Sequence, residues 1–90
     1  MRADCGCVDY EAVRLALSEE VRDWRKGLDL SQERGAELSA LHRNAIGKVE
    51  RVEVNPKLET LVLIASAMRV SLSELFAAVE RRCKSGRQGY

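Results

Sequence analysis

The chain predicts an all-α domain of five short helices, and three observations carry that reading. Apolar residues recur at helical rather than alternating spacing along most of the 90 residues. Aromatic residues make up only 4% of the chain, whereas Leu, Val, Ile and Ala dominate an apolar fraction of 46%. The breaks between periodic segments fall at cap and turn residues, among them Ser31, Pro56 and Ser71. A chain of this length makes one domain and buries roughly two thirds of its unfolded surface on folding.

Each element follows from local pattern. From Tyr10 to Lys26 the residues Val13, Leu17, Val21, Trp24 and Leu28 lie at steps of four, four, three and four, which is one buried helical face. "GLDLS" interrupts it, and Ser31 is placed to cap a second helix from Gln32 to about Leu38. A third helix begins near Arg43 with Leu41 or His42 at its cap, turns Ile46 and Val49 inward and ends near Arg51. In "VEVNP", Pro56 disfavours helix at Asn55 and suits the first turn of a fourth helix. That helix carries Leu58, Leu61, Val62, Ile64, Ala65 and Met68. Ser71 and Glu74 have capping-box spacing at the start of a fifth, with Leu72, Leu75, Phe76 and Val79 as its stripe. The organisation read from this is a flexible segment over 1–8, a folded domain over 9–82 and a basic tail over 83–90.

Charge and cysteine content exclude several functions. The net charge is +1, so no global basic field is present, and only residues 81–90, with four basic groups and no acidic one, are strongly charged. Of the three cysteines, Cys5 and Cys7 are too close in sequence to bridge each other, and the one histidine, His42, is far from both. Reduced thiols, with no metal and no cofactor, are the expectation. No carboxylate pair stands in a catalytic setting and no nucleophile has its base, so an enzyme is not expected. No apolar run is long enough to span a bilayer and "MRADCGCVDY" lacks a signal-peptide pattern, which points to the cytoplasm and to no membrane partner.

The residues "LSQERGAELSALHRNAIGKVER", followed by "NPKLETLVLIASAMRVSLSELF", resemble the Cro and phage-repressor helix-turn-helix family, also called the XRE family. The resemblance covers about residues 17–77, and "LSQE", "AIGKVER", "NPKLETL" and "IASAMRVSLSEL" are its most specific parts. It implies a five-helix lambda-repressor-like DNA-binding domain, closest in plan to small single-domain regulators such as restriction-modification controller proteins. In such a fold the second helix crosses the DNA backbone and the third lies in the major groove.

Each surface residue then acquires an expected role. With Ile46 and Val49 inward, the third helix presents Arg43, Asn44, Gly47 and Lys48. Arg43 suits guanine O6 and N7, Asn44 suits adenine N6 and N7, Lys48 suits guanine or a phosphate, and Ala45 suits a thymine methyl. The resemblance implies phosphate contact by Gln32 at the second helix N-terminus, and by Arg51, Asn55 and Lys57 beyond the third helix. His42 is expected to hydrogen-bond at the helix end or to touch a phosphate. Glu50 is expected to hold the following loop through its backbone amides or Arg51.

Several positions depart from the family pattern. Gly35 replaces a buried Leu, and the indole of Trp24, where a smaller aliphatic residue is usual, is expected to fill that space. Gly47 is expected to let the third helix approach the bases closely. Ala40, Val52 and Arg69 stand where glycine is favoured. Ala40 is expected to tolerate its turn, whereas β-branched Val52 is expected to make the third helix end differently and run on a turn.

The implied function is a sequence-specific transcriptional regulator, a repressor or controller, that binds a palindromic operator in double-stranded DNA as a homodimer. Leu63, Ala67, Leu75, Phe76 and Val79 are the expected interface on the fourth and fifth helices. The alternative is an antitoxin-like or other protein-interaction module on the same fold, with a protein partner.

Overall fold

A computed structural model describes residues 9–87, with side chains through Cys83. Its described residues form five helices and no strand: α1 (Tyr10–Gly27), α2 (Gln32–Leu38), α3 (Ala45–Glu50), α4 (Leu58–Met68) and α5 (Leu72–Arg87). Three starts are fixed by side-chain caps. Asp9 accepts from the Glu11 amide at 3.0 Å, Ser31 from the Arg34 amide at 3.0 Å, and Ser71 and Glu74 form a reciprocal capping box. The third helix starts two residues later than the pattern predicts. His42 Nδ1 and the His42 carbonyl instead accept from the amides of Asn44 and Ala45, so Arg43 and Asn44 lie in a turn ahead of α3.

The first four helices end in the same way. Leu30, Leu41, Glu53 and Val70 each donate an amide to the carbonyl five residues back, and the residue before each donates to the carbonyl three back. This double closure requires a left-handed residue, which is usually glycine. Here it is Asp29, Ala40, Val52 and Arg69, with φ of 58°, 58°, 58° and 63°. Val52 therefore does not extend α3 as expected. The two hydrogen bonds that satisfy the helix-end carbonyls outweigh the strain on a β-branched residue, roughly 1–2 kcal/mol.

Packing gathers α1, α3, α4 and α5 around Val21, Ile46, Ile64, Leu75 and Val79, all fully buried. The α1 stripe holds for Leu17, Val21 and the partly buried Val13 and Trp24, but Leu28 lies past the helix end and is 58% exposed. Leu58, Val62 and Phe76 are exposed, so these members of the apolar patterns of α4 and α5 do not enter the core. Helix α5 continues to Arg87 and buries Cys83, so the segment expected as a tail from residue 83 is helical through 87. Cys83 is engaged in a disulfide where a reduced thiol was expected. Cys5 and Cys7, with the expected flexible segment 1–8, lie outside the described residues.

Candidate nucleic-acid interface

Helices α2 and α3 meet at a polar junction that the pattern of apolar residues does not announce. Glu50, the last residue of α3, is 2% exposed. Its Oε2 accepts from Arg25 Nε at 2.7 Å, and its Oε1 accepts from Arg25 Nη2 at 2.9 Å and Gln32 Nε2 at 3.0 Å. Arg25 also donates to the Leu30 carbonyl, and Arg22 donates to the Glu50 carbonyl at 2.9 Å. One carboxylate thus ties α1, the turn before α2, the first residue of α2 and the end of α3. The expectation that Glu50 holds the following loop through amides or Arg51 is corrected. Burial pushes its carboxyl up, but hydrogen bonds from Arg25 and Gln32, with the charges of Arg25 and Arg22, outweigh that and hold it below the usual carboxylate range.

A second set of contacts secures the chain after α3. Arg14 Nη2 donates to the Val52 carbonyl at 2.8 Å, the Tyr10 hydroxyl donates to Asn55 Oδ1, and the Arg14 guanidinium lies over the Tyr10 ring. Tyr10, Arg14, Arg22 and Arg25 were not singled out in the sequence. The available signal was the flanking of the α1 stripe by arginines at 14, 22 and 25.

Six of the expected contact residues line one groove between α3 and the start of α4: His42, Asn44, Ala45, Lys48, Asn55 and Lys57. All but Ala45 are exposed. Asn44 stands at the α3 N-cap without using its side chain as a cap, which leaves the amide available. Arg43 is also exposed, but it lines a separate depression on the α2 side with Ser31, Glu33, Arg34 and Glu37. Gln32 is half-buried with its amide on Glu50, and Arg51 is paired with Glu53. Gly47 is not on the open face. It is buried, and a Cβ there would meet Gln32 Oε1 at 2.8 Å and Arg51 Nη1 at 2.9 Å, so glycine serves the contact of α2 with α3. At Gly35 the nearest atoms to a Cβ are Trp24 Cζ3 and Arg25 Cδ, each at 3.6 Å. The indole does fill the space above Gly35, with the Arg25 stem beside it.

Residues 21–75 match the family described as Helix-turn-helix. The chain belongs to this XRE-type helix-turn-helix family. It is a transcriptional regulator with a helix-turn-helix DNA-binding domain, and the groove above lies within that domain, between α3 and the start of α4. It is 46% identical over 63 residues to the control protein C.SmaI of Serratia marcescens, covering 70% of this chain and 75% of that relative. Identity to the transcriptional regulator PuuR of Escherichia coli is 37% over 67 residues, which is 74% of this chain but 36% of PuuR. Among solved structures, a hypothetical transcription factor, NHTF, from Neisseria matches with a TM-score of 0.66 and 30% identity, over 74% of this chain and 77% of that one. No single helix among the described residues is long and apolar enough to cross a membrane, and no group of side chains there could hold a metal ion.

Proposed function

We propose that the protein is a controller that occupies a palindromic operator as a homodimer, with α3 in the major groove. The observation that carries this is one groove lined together by His42, Asn44, Ala45 and Lys48 of the α3 region and by Asn55 and Lys57 of the connection to α4. Asn44 reads adenine and Ala45 a thymine methyl, while Arg43 reads guanine from the α2 side and Lys48 takes guanine or a phosphate. Gln32, His42, Arg51, Asn55 and Lys57 bind the backbone and set register. Gly47 acts from behind, by keeping α2 and α3 close. The resemblance to a control protein supports the regulatory class.

Dimerisation uses α4 and α5, but with different residues from those expected. Leu75 and Val79 are 1% exposed and belong to the monomer core. Leu63 and Ala67 are half-buried and Phe76 is exposed, and Leu58 and Val62, at 68% and 41%, add apolar surface on α4. Selection of bound duplexes from a random pool, repeated with Arg43→Ala and Asn44→Ala at two salt concentrations, tests the reading. Enrichment of one palindrome, with each substitution relaxing its own base positions, is the expected result. Absence of any enriched sequence would reject it in favour of the antitoxin-like module with a protein partner.

A further inference from the structure

At the end of α3 an acidic side chain occupies the cation that the DNA reading assigns to a phosphate. Arg51 Nε lies 2.7 Å from Glu53 Oε2, and both side chains are about half exposed, at 52% and 50%. The pair is a product of the backbone. Left-handed Val52 reverses the chain, and the Glu53 amide closes the helix on the Lys48 carbonyl at 2.9 Å. This returns the Glu53 carboxylate to the cation two residues earlier, beside Lys48. On the other side of the guanidinium, Nη1 stands against Gly47. The cation is therefore preset at the α2–α3 contact with a carboxylate in the place of an anionic partner.

We propose that Glu53 is an internal competitor for the DNA backbone: its carboxylate holds the phosphate-binding edge of Arg51 in the free protein and must be displaced when the operator binds. This rests on the DNA reading above. A carboxylate and a phosphate oxygen use the same guanidinium donors, so they exclude one another at that edge. Because the pair is exposed, its displacement lowers affinity without blocking binding.

The test is a cycle of Glu53→Gln and Arg51→Gln, measured as affinity for the selected duplex across a range of salt concentrations. Glu53→Gln should tighten binding about two- to fivefold beyond the gain from Glu59→Gln, which removes an exposed carboxylate of the same groove; that excess is the size expected of an exposed ion pair. That excess should vanish when Arg51 is already Gln. The slope of log affinity against log salt should steepen by up to about one as Arg51 engages its phosphate unopposed. A gain that persists in the Arg51→Gln background would overturn the proposal, since Glu53 would then act only through its field. So would a gain no larger than that of Glu59→Gln. Wild-type protein that binds no duplex would instead indict the DNA reading itself, and the competition with it. Thermal unfolding of each variant separates these outcomes from loss of fold.

Discussion

Two junctions hold this small domain together, and they are built from opposite materials. Where α1 meets α5, and α4 meets α5, the buried part of the contact is apolar: Val21, Ile64, Leu75 and Val79 are at most 1% exposed, and the ion pairs of Arg82 with Glu20 and Asp23 lie at its partly exposed rim. Where α1 meets α2 and α3, the centre is the Glu50 carboxylate with three side-chain donor atoms on it. An apolar contact is non-directional and tolerates small shifts. A bidentate arginine pair does not, because its hydrogen bonds have fixed geometry. The half of the molecule that carries Asn44, Lys48 and Gln32, the proposed DNA contacts, is the half whose buried centre is held by directional contacts. The other half supplies burial.

Breaking the polar junction should have the largest effect. Arg25→Ala leaves the Glu50 carboxylate buried without its main partner, and should destabilise by about 3–5 kcal/mol in a denaturant titration. Replacing both, as Arg25→Met with Glu50→Leu, should recover much of that stability yet weaken operator binding, because Gln32 loses its anchor. The same pair predicts acid sensitivity. Glu50 ionises below the usual carboxylate range in the folded state, so its contribution is fully present above the unfolded value, about 4.3, and is lost as pH falls through the lower folded value. Stability measured from pH 6 downward should fall less steeply in the double variant.

The apolar junction should break differently. Ile64→Ala, at a fully buried position, should destabilise by about 2–5 kcal/mol. Operator affinity per folded molecule should not change, because Ile64 does not line the groove. Equal losses of affinity in Ile64→Ala and in the Arg25/Glu50 double variant would dissolve the division of labour.

A smaller effect tests the strained turn between the two halves. Val52→Gly removes the left-handed penalty but adds backbone freedom to the unfolded chain, for a net stabilisation of about 1 kcal/mol read from the denaturant midpoint. Val52 also shows where reading the sequence stops. The order of five helices, the Ser31 and Ser71 caps and the inward Ile46 and Val49 were legible, because each depends on residues within a turn of one another. Val52 was misread, since its intrinsic preference was weighed without the two amide bonds that closing the helix would gain. The partners of Glu50 were illegible for another reason: Arg25 is 25 residues away, and no local period marks an ion pair between helices. Leu75 and Val79 were assigned to an interface because an apolar stripe does not say whether it faces its own core or a second copy.

The smallest effect separates the two glycines, which look alike in sequence and lie at different contacts of the polar junction, Gly35 against α1 and Gly47 against Gln32 of α2. Both sit inside short helices, where alanine is favoured by roughly 0.5–1 kcal/mol. At Gly35 a methyl group would meet Trp24 and Arg25 at 3.6 Å, an ordinary contact, so Gly35→Ala should stabilise by about that amount and leave operator affinity unchanged. At Gly47 the same methyl group would press on Gln32 Oε1 and Arg51 Nη1 at under 3 Å, and Gln32 is tethered to Glu50. Gly47→Ala should therefore gain little stability and should weaken DNA binding by displacing the two side chains proposed to contact the DNA backbone. Equal behaviour of the two variants would mean that Gln32 moves freely and that the polar junction does not set the geometry of α2 against α3.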